Sequence, residues 1–196
     1  MRLMRSPLTR RRDSRGQAMV EFAMIFMIFM TVVVAIMEFS FVLTIKTGIS
    51  FASQDATQLA AELGNTADAD CTILQQIDKD LQAPIDKSRV QGVKIFYTDS
   101  TGAVGVSDNW TKSGTYLCPM LNVTIPWSKG IQGYPASDRC NILSAVGCTP
   151  HTSLDWIGVT ITYQYNWITP LPGLVGLGGS GPLFAETHIS RMEPVQ

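Results

Sequence analysis

The chain has 196 residues, 45% of them hydrophobic and 16% charged, with a formal net charge of −1 at pH 7. That near-zero total conceals an asymmetry. The first sixteen residues hold six arginines (Arg2, Arg5, Arg10, Arg11, Arg12 and Arg15) and one acid, Asp13, for a formal charge of +5, while the remainder carries nine basic and fifteen acidic residues. The basic cluster directly abuts an apolar run, which marks it as a membrane-topology signal and argues against nucleic acid as a partner.

That run extends from Gly16 to Ile45 and is interrupted early by one acid, Glu21. Phe22 to Met37 are uncharged; at 1.5 Å per residue they rise about 24 Å, and with Ala18 to Val20 the helix reaches the roughly 30 Å of a bilayer core. Nine of these sixteen residues are Phe, Ile or Val, and their insertion energies offset one carboxylate near the interface. A single span is expected, with the positive flank in the cytoplasm and the C-terminal side outside. No A-x-A cleavage site follows cleanly, and the segment is long for a removable signal; the rival processing point is after Gly16.

The stretch Arg15-Gly16-Gln17-Ala18-Met19-Val20-Glu21-Phe22-Ala23 resembles the processing site of type IV prepilins, and more narrowly of TadE-like proteins, pilin-like components of tight-adherence pili. Ile36-Met37-Glu38-Phe39 resembles that family's second acidic motif and Arg191-Met192-Glu193 its closing motif. Met27 stands where the family often has a proline, so no kink is expected, and Gln58 to Gly64 lacks the family's arginine. The resemblance implies that a prepilin peptidase cuts after Gly16, leaving Gln17 as the new N-terminus and Glu21 as the fifth residue. It further implies, as partners, an assembly platform with a cytoplasmic ATPase and other pilins, with surface adhesion as the outcome. The head is large beside the short major subunits of such pili, which points to a minor or initiating subunit.

Physical chemistry gives Glu21 a purpose in that setting. Cleavage exposes an α-amine with an ordinary pKa of about 7.7 to 8, and in an apolar helix bundle that cation is costly unless a carboxylate is near. Pairing between neighbouring subunits in register would make charge compensation and assembly one event. The plain alternative is an interfacial acid that snorkels to the headgroups. Glu38 reads more simply, as a solvated residue where the span meets the outer interface, with pairing to a basic group on another subunit as the alternative.

Beyond the membrane the helix is expected to continue to Gly64, since no proline intervenes. Small residues recur every four positions: Ser40, Thr44, Gly48, Ala52, Ala56, Ala60 and Gly64. Such a row lets another element approach closely, and the sequence leaves two candidates open, a crossing helix of another subunit or this chain's own head.

After Gly64 the pattern becomes that of a soluble domain. Asn65 to Asp70 reads as a turn and N-cap region, and Cys71 to Ala83 as a second helix with Ile73, Ile77 and Leu81 on one face, stopped by Pro84. Alternation predicts strands at Val93–Tyr97, Leu121–Trp127 and Ile157–Trp167, with a final one over Phe184–Met192. Pro170 to Pro182 holds five glycines and three prolines and reads as a loop. About 130 residues outside the membrane suffice for one core. The expected fold is therefore α+β: a basic leader (1–16), a transmembrane and extended helix (17–64), and an extracytoplasmic head (65–196) in which a short helix packs on an antiparallel sheet of about four strands.

All four cysteines, Cys71, Cys118, Cys140 and Cys148, fall in the part expected outside, where disulfides persist. The short separation makes Cys140–Cys148 the natural local bridge and leaves Cys71 with Cys118. None has the spacing of a zinc site, so no metal and no cofactor are expected. His151 and His188 stand apart from any nucleophile elbow or HExxH pattern, and neither an enzymatic activity nor a small-molecule substrate is expected. Asn122-Val123-Thr124 matches a glycosylation sequon but reads as part of a strand. The rival to the pilin-like reading is an uncleaved, signal-anchored module whose head binds a ligand by itself.

Overall fold

A computed structural model describes residues 14–141, 153–174, 176 and 179–194. Its first element, α1, is an uninterrupted helix of 50 residues, Ser14–Leu63, roughly 75 Å long at 1.5 Å per residue. It contains no proline, and it stops where Gly64 takes a φ of 51° and donates its N–H to the Ala60 carbonyl at 3.2 Å, the left-handed closure that glycine permits.

The head follows as α2 (Ala69–Asp80), then β1 (Val90–Thr98), β2 (Val104–Thr111), β3 (Tyr116–Cys118), β4 (Val123–Ile125), β5 (Ser128–Gln132), β6 (Trp156–Gln164), the single turn α3 (Leu171–Leu174) and β7 (Leu183–Arg191). Five strands form one sheet in the order β5-β2-β1-β6-β7, and β3 and β4 make a separate hairpin. All pairings are antiparallel. The α+β architecture with a long apolar N-terminal helix, a short helix and an antiparallel sheet is as the sequence predicts, with five strands in the main sheet where about four were expected.

The core lies between α1, α2 and one face of the sheet. Helix α1 contributes Ile45, Ile49, Ala52, Ala56 and Ala60, α2 contributes Ile73, Leu74 and Ile77, and the sheet contributes Val93, Ile95, Ile157, Val159 and Ile161. The alanines let the α1 backbone settle close to the strands, since a larger side chain would hold the layers apart. Gly48 serves the same end, because a Cβ there would come within 2.6 Å of Ile85 Cδ1. On the opposite face, Gly158 leaves room for the ring of Phe96 on the neighbouring strand.

Several boundaries differ from the sequence expectation, each for a traceable reason. Asp68 adopts a φ of 58° and makes no side-chain cap on α2; its carboxylate instead accepts the N–H groups of Met120 and Leu121. α2 ends at Asp80 rather than Ala83, as Leu81 turns away to be buried in the core. The strand expected over Leu121–Trp127 is broken: Asn122 takes a φ of 50° in the hairpin turn, and past Ile125 the chain leaves for the main sheet. The sequon asparagine is thus exposed in a turn, not held in a strand. β2 has no apolar alternation to announce it, because it exposes Val104 and Val106 and buries Asp108 and Trp110. The expected Ile157–Trp167 strand ends at Gln164, after which Tyr165 and Trp167 turn toward α1.

Cys71 on α2 is bonded to Cys118 on β3, tying the hairpin to the helix layer. Cys140 is buried and disulfide-bonded; its expected partner, Cys148, lies outside the described residues, as do His151 and residues 1–13 of the leader.

Candidate functional site

Along α1 the environment changes once. From Gln17 to Met37 the side chains are exposed or half-buried, and the most apolar window of this helix has a mean hydropathy of 2.5 with none of it buried. Apolar side chains left uncovered over this length are those of a helix solvated by lipid, so the chain is a single-pass membrane protein. From Glu38 onward one stripe of the helix is covered by the head: Glu38, Ile45, Ile49, Ala52, Ser53, Ala56, Thr57, Ala60 and Ala61 are all buried.

The two acids of the apolar region consequently live differently. Glu21 is exposed, and Gln17 Nε2 donates to its Oε1 at 3.0 Å, one turn apart on the same face. Gly16 lies on the same exposed end, with open space where a Cβ would stand. Gly16, Gln17 and Glu21 therefore sit on bare helix, without a contact from the described residues of the head.

Glu38 departs from its expected role. It is only 5% exposed, so it is not a solvated helix-end residue, and its partners come from its own chain. Oε1 accepts the Tyr165 hydroxyl at 2.6 Å and the Ile168 N–H at 3.0 Å, while Oε2 accepts the Thr169 N–H at 2.8 Å. A carboxylate can be buried only when its lone pairs are met, and three donors from the segment after β6 meet them here. Burial, reinforced by the neighbouring Glu38 carboxylate, holds the Tyr165 phenol well above its ordinary pKa, so the hydroxyl remains a donor. The sequence signal that marks Glu38 is the i, i+3/i+4 stripe itself, of which Glu38 is the first member.

The row of small residues divides. Ser40 and Thr44 are exposed and donate to the carbonyls one turn back. Gly48, Ala52, Ala56, Ala60 and Gly64 face the chain's own head, which takes the position that a neighbouring helix would need. Hydroxyls beside the row complete the seam: Ser53 donates to the carbonyls of Val159 at 2.8 Å and Glu186 at 3.2 Å, Thr57 donates to that of His188, and Ser50 shares a hydrogen bond with the His188 ring at 3.1 Å. Lys46 lies 3.7 Å from Glu186. His188 is thereby a packing residue between β7 and α1.

At the far end of the head, Arg139, Asp70, Asp108, Tyr134 and Asp155 form a buried polar cluster. Arg139 pairs with Asp70 and stands 3.7 Å from Asp108; Tyr134 donates its N–H to Asp108 at 2.7 Å and its hydroxyl to Asp155 at 2.8 Å. Burial pushes the Asp108 carboxyl up to about 6, with Asp70 adding to the effect against the opposing pull of the Tyr134 amide and Arg139. A folded-state pKa above the unfolded value means the native state holds the proton more tightly, so this group favours folding in acid and loses that contribution as pH rises through about 6. Asp108→Asn mimics the protonated form. Relative to it, the unaltered chain is expected to lose up to about 3 kcal/mol between roughly pH 4 and 7, read as diverging urea midpoints of the full-length chain; parallel profiles would remove Asp108 as the titrating group. Among the described residues no group of three or more His, Cys, Asp or Glu is placed to hold a metal ion.

Residues 16–58 match the family model described as TadE-like protein, a segment that begins at Gly16, includes both Glu21 and Glu38, and runs through most of the head-facing stripe. No curated protein and no solved structure matches the chain.

Proposed function

We propose that this chain, with its TadE-like segment over residues 16–58, is a pilin-like component of a tight-adherence pilus. It enters the membrane as a prepilin with its N-terminus in the cytoplasm, is cut after Gly16 by a prepilin peptidase, and is assembled in or beside a surface filament as a minor subunit that serves adhesion. Other pilins and an assembly platform driven by a cytoplasmic ATPase are its partners, and it performs no chemistry of its own.

The observation that carries this reading is the bare helix at Gly16–Met37, with one acid four residues beyond Gln17 and none of the described residues of the head covering it. A helix exposed in this way can be buried only by lipid or by other helices, and Glu21 is placed to meet an α-amine at residue 17 of a neighbour. The Cys71–Cys118 disulfide supports a head outside the cytoplasm.

Intact mass of the chain purified from its native membrane provides the test. A species beginning at Gln17 supports the reading. One retaining residues 1–16 instead supports an anchored binding module and overturns it. Glu21→Ala is expected to insert and to be cleaved normally, yet to fall at least about tenfold in filament incorporation, the effect of losing some 1.4 kcal/mol or more per contact. Unchanged incorporation would eliminate the charge-pairing argument while leaving processing intact.

A further inference from the structure

The charges on α1 fix its depth in the bilayer. In the uncleaved chain Arg15 and Lys46 bracket a stretch whose only charged residues are Glu21 and Glu38, and the 31 steps between them rise about 46 Å. That matches the roughly 40 to 45 Å of a bilayer with both headgroup layers. Glu38 then lies about 12 Å below Lys46, near the boundary of hydrocarbon and headgroups in the outer leaflet.

Segment 165–169 is bonded to Glu38, so it lies at the same depth. Leu183 joins it, because Leu183 pairs with Gln164 and the Tyr165 N–H donates to the Pro182 carbonyl at 3.0 Å. The composition suits that depth: Tyr165 to Leu183 contains no Asp, Glu, Lys, Arg or His. Ile168 and Leu183 are 56% and 59% exposed, and Trp167 packs edge-on against Tyr165 with ring centres 5.6 Å apart. The exposed apolar surface of α1 also runs past Glu38, through Phe39 and Leu43, so the patch is continuous with the lipid-facing helix.

We propose that this rim of the head is a lipid-contacting surface, with Ile168 and Leu183 seated in the outer-leaflet interface and Trp167 packed behind them against the core. Branched aliphatics without formal charge suit the neutral zone below the headgroups. By occupying the Glu38 carboxylate, the Tyr165–Thr169 segment compensates the buried charge at this rim, and the neighbouring Asp86 and Arg89, which line the same depression as Trp167 and Ile168, pair with each other at 3.0 Å. The proposal rests on the reading of residues 17–37 as the membrane span.

The test uses nitroxide labels on Ile168→Cys, Leu183→Cys, Met120→Cys and Phe29→Cys, each in the full-length chain at one copy per phosphatidylcholine nanodisc, comparing collision with oxygen and with a water-soluble nickel complex. Met120 is exposed on the hairpin beside α2, at the opposite end of the head. The oxygen-to-nickel ratio at positions 168 and 183 is expected to exceed that at 120 severalfold and to approach that at 29. A lipid-like ratio at 29 with water-like ratios at 168 and 183 overturns the proposal and leaves the span standing. Water-like ratios at all four overturn both. Ratios at 168 and 183 that rise only when several copies share a disc assign the surface to a second copy and overturn the lipid contact.

Discussion

Replacing Glu38 with alanine is expected to release the membrane-proximal end of the head from α1, at a cost of roughly 3 to 5 kcal/mol. The carboxylate satisfies one hydroxyl and two backbone N–H groups at 2.6 to 3.0 Å. Each buried donor left alone costs about 1 to 3 kcal/mol, and the sum is moderated because the half-exposed amides can recover water. Glu38→Gln keeps an acceptor and the side-chain shape but loses charge assistance and turns an amide N–H₂ toward donors, so a smaller loss of about 1 to 2 kcal/mol is expected. Amide hydrogen exchange of the full-length chain in micelles separates the outcomes. Protection should fall at Ile168, Thr169 and along β7 while the buried α2 amides change little. Equal protection in the alanine variant would mean that the apolar stripe holds the head without the acid.

The double variant Cys71→Ser, Cys118→Ser is expected to lose about 4 kcal/mol, the loop-closure entropy for a bridge of this span; the sequence separation is 47 residues. Both cysteines are buried, and the hairpin they hold has only three residues in each strand, too little to stand alone. What else fixes it is the Asp68 carboxylate at the Met120 and Leu121 amides and the burial of Ile125 and Trp127, with the Trp127 indole donating to Asp78 at 3.0 Å. The urea midpoint of the double variant in micelles, set against that of the unaltered, oxidised chain under non-reducing conditions, reads the effect. Coincident midpoints for the oxidised chain and the variant would show that Asp68 and the buried aromatics suffice.

Elements with a regular apolar period were legible in the sequence: the long helix to its glycine stop, the second helix to within three residues, and the strands around Ile95, Val159 and the final segment. What escaped notice follows a common pattern, in which a polar residue is buried by its own chain. β2 hides because Asp108 occupies a core position while Val104 and Val106 face outward. Asp68 lies in the Asn65–Asp70 stretch read as a turn and N-cap region, but a hairpin 52 residues away takes its carboxylate. Glu38 looked like an interfacial acid because its partners, at Tyr165, Ile168 and Thr169, lie some 130 residues downstream. Periodicity reports which face of an element is apolar, whereas long-range hydrogen bonds leave no periodic trace. The choice between the two candidates for the small-residue row was likewise beyond sequence, since alanines admit a strand layer as readily as a helix.

The closing strand lies against the opening helix. Glu193 donates its N–H to the Ala61 carbonyl at 3.1 Å, Met192 is buried, and the β7 residues Glu186 and His188 meet Lys46, Ser50, Ser53 and Thr57. A chain with this layout cannot finish folding stepwise from its beginning. Until residues 183–193 have been synthesised, the sheet lacks an outer strand and the alanine face of the helix lacks its cover, so the head closes only late, and its apolar layer stays open to aggregation or to a chaperone in that interval.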